Sequence, residues 1–177
     1  MSKEAFERVS AQLQSTIKDL FAKGQTTPTM LLIYATIDIL ASLARPTNRP
    51  DTDRQFFKGW VTEYMLPNSQ LPCNADDIYA ARCGLLHTLT AESREARLGY
   101  ARMVNYVGDD ELPAQAVQNR NDPNCTKDIF VGTTAFVNAF FTACKRFQEK
   151  VISDSDLQNR VYSHASALMV ETRGRLT

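Results

Sequence analysis

The stretch MLLIYATIDILASLA, residues 30–44, is the most apolar in the chain and limits what the rest can build. It is shorter than a bilayer crossing and carries Asp38 at its middle, so it reads as a buried helix of a soluble protein rather than a membrane span. Thr27 is the expected N-cap and Pro28 the first helical residue, with the helix running to about Leu43. A helix apolar almost all round must be central, with neighbours on several sides. The carboxylate within it needs a partner, because a lone buried charge is costly. Arg82 or His87 is the natural candidate.

The neighbours are read from periodicity. Residues 2–24 fit an amphipathic helix, with Phe6, Val9, Leu13, Ile17, Leu20 and Phe21 on one face and Gly24 as its stop. RPTNRPD breaks the chain after the central helix. Asp51 is the expected cap of a third helix over roughly 52–65, whose apolar face is Phe56, Phe57, Trp60 and Tyr64. Asn74 caps a fourth, DIYAARCGLLH, with Asp76 and Asp77 in its first turn. YARMVNYVGDDELP reads as a strand and turn, and KDIFVGTT as its partner, giving a short hairpin with a long polar loop. From Thr133 or Thr134 a helix returns, with Phe136, Phe140, Ala143, Cys144 and Phe147 in one stripe. SDSDLQNRVYSHASALMVE supplies the last, with Ser153 and Asp156 spaced as a capping box. The expected fold is mainly α: a single domain over residues 1–177, a bundle of five or six helices with a small β-hairpin insertion.

Composition narrows the functional classes. Lys and Arg total 20 and Asp and Glu total 20, so the formal net charge is zero and no polyanion-binding tail is expected. A nucleic-acid binder of this composition must gather its positive charge locally. The first residues, MSKEAFERVSAQLQ, are charged throughout and lack the apolar core of a signal peptide, which points to a cytoplasmic protein without a membrane partner. Cys73, Cys83, Cys125 and Cys144 are widely and irregularly spaced, so reduced thiols are expected and a zinc site is not. G-x-S-x-G, P-loop and G-x-G-x-x-G patterns are absent, and no cofactor is expected.

Chemistry is hinted at once, in the fourth helix. Arg82 and His87 are two groups that resist burial, placed in a segment that otherwise looks like core. On an ideal helix, five residues separate them by about 140°. Arginine is long, however, and Gly84 loosens the helix between them, so both heads can reach one cleft at its C-terminal edge. An imidazole can give or take a proton near neutral pH, and a guanidinium forks onto phosphate oxygens.

RCGLLH, an R-x-x-x-x-H motif on a late helix of a small helical protein, resembles the signature of HEPN domains. That resemblance implies a helical bundle, usually dimeric, and a metal-independent endoribonuclease of toxin–antitoxin or antiviral type. Arg82 and His87 of two facing subunits form the implied site, with RNA as substrate and an antitoxin as a further protein partner. Cys83 departs from the pattern, since many active members carry a polar residue, often Asn, after the arginine. Asp38 is the expected supporting carboxylate. Arg94, Arg97 and Arg102, in ESREARLGYAR, are the expected RNA-binding cations, joined by Arg45, Arg49 and Arg54. The alternative is a non-catalytic interaction or scaffold protein in which Arg82 and His87 are structural, the histidine favoured by the helix dipole and the arginine paired with Asp38.

Overall fold

A computed structural model describes residues 2–108 and 127–168. The elements are α1 (Ser2–Ala22), α2 (Thr26–Ala44), α3 (Arg54–Trp60) with a π-helical continuation (Val61–Met65), α4 (Ala75–Thr88), α5 (Arg94–Arg97), β1 (Met103–Val107), β2 (Asp128–Gly132), α6 (Thr133–Ser153) and α7 (Ser155–Ala165). The protein is thus mainly helical with a small two-stranded sheet.

α2 is central, in contact with α1, α3, α4, α6 and α7. Ile33, Tyr34, Ile37 and Leu40 are buried along it, against Ile17, Ile78, Phe136, Phe140 and Phe147. By length and composition α2 could cross a membrane, but half of its most apolar window is buried inside the protein. Its helix begins at Thr26, two residues earlier than the Thr27 cap predicts. Gly24 takes the left-handed conformation (φ +69°) that closes α1, and the chain re-enters helix at once, with Gln25 as N-cap and no side-chain cap bond. Pro28 then falls within the first turn, where its missing N–H costs nothing.

Two other caps move by a residue or two. Asp53, not Asp51, caps α3: it is extended, and its Oδ1 accepts from the backbone N–H groups of Gln55 (2.7 Å) and Phe56 (3.3 Å). Asp154 rather than Ser153 caps α7, accepting from Leu157 N–H, while the Ser153 hydroxyl donates back to Lys150 O. The expected extension of this last helix to Glu171 lies partly outside the described residues. The π turn after α3, marked by Leu66 N–H bonding to Val61 O, re-phases the helix so that Val61, Tyr64 and Met65 are all buried. Trp60 and Tyr64 pack there against the Phe147 ring.

The hairpin is corrected. β1 and β2 pair in parallel, with Met103 opposite Asp128 and Val107 opposite Gly132. Parallel strands cannot be joined by a tight turn, and the predicted polar loop falls largely on 109–126, outside the described residues. Alternation of apolar residues identifies a strand but carries no direction. Here direction is fixed by the adjoining helix: β2 runs straight into α6, whose first residue, Thr133, donates its hydroxyl to Val107 O at 2.9 Å.

Candidate functional site

α4 carries the site, and both its ends are locked by its own sequence. At the N-terminus Asn74 and Asp77 form a reciprocal capping box: the Asn74 side chain accepts from Asp77 N–H (2.9 Å) and the Asp77 carboxylate accepts from Asn74 N–H (3.0 Å). Asp77 is only 1% exposed, and such a charge needs full pairing. Arg102 supplies the rest. Its backbone N–H donates to Asp77 Oδ1 (2.7 Å), its Nη2 donates to Oδ2 (2.6 Å), and Nη2 also reaches Pro72 O (3.1 Å). Arg102 therefore clamps the start of β1 to the start of α4. The structure does not bring it to the other predicted site residues, since Asp77 and His87 are about 15 Å apart along the helix axis.

The C-terminus is closed differently. Leu89 adopts the left-handed conformation (φ +56°), and the Thr88 hydroxyl and Thr90 N–H both donate to Gly84 O, at 2.8 and 3.3 Å. The segment 88–93 folds back over Gly84 so closely that a Cβ there would sit 2.6 Å from Thr90 O and 3.0 Å from Glu92 O. Gly84 is thus required by a close backbone approach, between the two residues of the motif.

Arg82 and His87 meet. Arg82 Nη1 lies 3.3 Å from His87 Nε2. A guanidinium only donates, so Nε2 faces it with its lone pair and a neutral ring carries its proton on Nδ1. Arg82 is aimed by Asp38 on α2, whose Oδ2 accepts from Nε at 2.8 Å and lies 2.7 Å from Nη2. Burial acts to lower the Arg82 pKa, but hydrogen bonding to Asp38 and the charge of that carboxylate outweigh it and hold the guanidinium above its ordinary value. The cation is permanent. Asp38 is less buried than its apolar context suggests: its side chain is 33% exposed and that of Arg82 20%, while His87 is exposed. The carboxylate sits on the rim of α2, and the trio opens to solvent.

A cavity lies on each side of it. One, of about 160 Å³, is lined by Asp38, Ser42, Arg54, Tyr79 and Arg82. The other, of about 500 Å³, is lined by Cys83, His87, Thr88, Ser93, Arg94 and Arg97. Of the predicted cations, Arg94 and Arg97 thus stand beside His87. Arg97 is 3.9 Å from Glu92, and Arg94 makes no ion pair among the described residues. The cluster is set by α5, a helical turn that the sequence reading missed, capped by the Ser93 hydroxyl. Arg45 and Arg49 do not line these cavities and are engaged locally: Arg45 Nη1 donates to Ser42 O (2.6 Å), and Arg49 pairs with Asp53 (3.2 Å).

Tyr79 was also missed, although its spacing of three before Arg82 puts it on the same helical face. Burial, and then contact with the Cys83 thiol, pushes its phenol up to about 12, so it stays protonated and can donate. His164 binds Leu43 O through Nδ1 (3.0 Å), away from the site. Among the described residues no three His, Cys, Asp or Glu side chains gather as metal ligands. Comparison of the chain with protein-family models, curated proteins and solved structures gives no match.

Proposed function

We propose that the protein is a HEPN-type endoribonuclease that works without a metal and acts at Arg82 and His87. The single observation behind this reading is the 3.3 Å contact of Arg82 Nη1 with His87 Nε2 at a solvent-open edge, with the guanidinium held by Asp38. Three of the five guanidinium N–H bonds serve Asp38 and His87, and the outer end remains to grip phosphate oxygens. When a phosphate draws that end outward, the Nε2 lone pair is released and can take the proton of the ribose 2′-hydroxyl. The 2′-oxygen attacks phosphorus and the bond from phosphorus to the 5′-oxygen breaks. A 2′,3′-cyclic phosphate remains, and the leaving oxygen takes a proton from water or from the His87 of a second copy. Arg82 stabilises the charge that builds on the phosphoryl oxygens. Arg94 and Arg97, around the His87 cavity, supply the local positive charge that a neutral chain must concentrate. A homodimer and a cytoplasmic setting with an antitoxin-like partner belong to the same proposal.

The test is cleavage of varied RNAs by purified protein in EDTA. His87→Ala is expected to abolish it with the helical circular dichroism unchanged. Cleavage insensitive to that change, or none by the parent protein, refutes the reading. The second reading is a non-catalytic scaffold. It is favoured by the double contact of Arg82 Nε and Nη2 with Asp38 Oδ2, which by itself ties α4 to α2.

A further inference from the structure

A third concavity adjoins both cavities of the site. It is about 490 Å³, and its lining includes three cations, Arg54, Lys58 and Arg94, two carboxylates, Asp76 and Glu95, and the side chains of Tyr79, Leu98 and Tyr100. Arg54 and Tyr79 are shared with the Arg82 cavity, and Arg94 and Glu95 with the His87 cavity. Anything bound here therefore borders the cavities that Arg82 and His87 line.

Its lining is unusual for an ordinary surface. Tyr100 is 74% exposed and Leu98 53%, two large apolar side chains side by side on one short turn. The turn is nonetheless well held. Tyr100 N–H donates to Glu95 O (2.9 Å), Gly99 N–H donates to Ala96 O (3.1 Å), and Gly99 has φ +75°. Tyr100 is thus an aromatic ring displayed on a fixed backbone with little covering it. Lys58 is spent on Asp76 and lies over the Tyr79 ring (5.8 Å). Arg54 and Arg94 make no ion pair among the described residues, and they stand where this concavity opens into the other two.

A displayed ring that shares a concavity with two arginines free of ion pairs among the described residues is a composition suited to single-stranded nucleic acid: bases stack on the aromatic face while cations follow the phosphates. We propose that this concavity is a nucleobase subsite, which takes an unpaired base of single-stranded RNA on Tyr100. Arg54 and Arg94 hold the phosphates on either side, and one of these leads to Arg82 and His87. The proposal rests on the endoribonuclease reading for its choice of RNA. It adds that the substrate must be unpaired beside the cleaved bond, because a base inside a duplex cannot reach the ring. Glu95, in the lining, provides an acceptor for an exocyclic amino group of the base.

Binding tests the subsite without relying on cleavage. A short, unstructured, fluorescein-labelled RNA is titrated by anisotropy against full-length His87→Ala protein, alone and with Tyr100→Ala, Tyr100→Phe or Arg54→Gln/Arg94→Gln added. Tyr100→Ala is expected to weaken binding about 10-fold or more, and Tyr100→Phe by less than about 2-fold, since stacking needs the ring and not the hydroxyl. The arginine pair is expected to reduce the slope of log affinity on log salt by roughly 0.7 for each phosphate that is no longer held. The same RNA annealed to its complement is expected to bind no better to the parent than to Tyr100→Ala. Equal affinity of the parent and Tyr100→Ala for the single strand overturns the subsite, as does loss of binding in Tyr100→Phe equal to that in Tyr100→Ala. Failure of His87→Ala to stop cleavage would sink the catalytic reading while leaving these binding results to stand or fall by themselves.

Discussion

Gly84→Ala separates local from tertiary demands in the site. By helix propensity alone the change should stabilise α4, since alanine is better than glycine in a helix interior by about 1 kcal/mol. The tertiary structure opposes this. The new methyl carbon would lie 2.6 Å from Thr90 O and 3.0 Å from Glu92 O, where an ordinary contact is about 3.5 Å or more. Both obstacles are backbone, so relief requires the 88–93 segment to lift off α4. Overpacking of this kind costs roughly 1 to 3 kcal/mol. Lifting also stretches the bond from Thr90 N–H to Gly84 O, already 3.3 Å long, with a further loss of about 1 kcal/mol. The propensity gain offsets about one such bond, so the expected net change is a loss of roughly 1 to 3 kcal/mol. Urea unfolding followed by Trp60 fluorescence is a suitable assay, because Trp60 is the single tryptophan, is buried and lies away from the loop. Faster amide exchange at Thr90 should accompany the loss. A variant about 1 kcal/mol more stable than the parent, with Thr90 exchange unchanged, refutes the close packing of the loop on α4.

Three further outcomes are expected. A double-mutant cycle on Asp38→Ala and Arg82→Ala should give a coupling of about 1 to 2 kcal/mol, above that of a surface pair because the side chains are two-thirds or more covered; additive losses would mean that the pair is not formed in solution. Leu89→Gly should raise stability by about 1 kcal/mol in the same unfolding assay, since Leu89 is 62% exposed at φ +56° and has strain to relieve but little packing to lose; a lower midpoint would contradict that backbone conformation. Stability should also fall as pH rises above about 9. Burial pushes the Cys144 thiol up to about 12, and burial followed by the charge of Asp77 does the same for Cys73. The unfolded chain loses these protons near the ordinary value of 9.0 while the folded one keeps them, so the contribution is full below pH 9 and lost toward pH 12. The slope is at most about 1.4 kcal/mol per pH unit for each thiol, and Cys144→Ala should make it shallower; an unfolding midpoint that stays flat from about pH 9 to about pH 11 would refute this.

Sequence alone determined the longer helices, because their signals are local, while the four-residue α5 is too short to show a periodicity. Phe6 and Ile17 on one stripe of α1, the apolar girth of α2, and the Phe136–Phe140–Phe147 stripe of α6 each record which face must leave water. Asn74, three residues before Asp77, records where α4 starts. The same logic found strand character at 103–107 and 128–132 but could not give its direction, since alternation is the same for either. It put Asp38, Arg82 and His87 on a short list because each is costly in apolar surroundings. Whether they meet was not legible: on α4 alone Arg82 and His87 diverge. Only the packing of α2 beside α4 aims the guanidinium, through Asp38, across to the imidazole. Arg102 shows the converse, a cation near the motif in sequence that a buried carboxylate claims for the frame. Periodicity and caps depend on residues a few positions apart, whereas the partner of a charge and the direction of a strand depend on chain segments tens of residues away, which only the folded protein brings together.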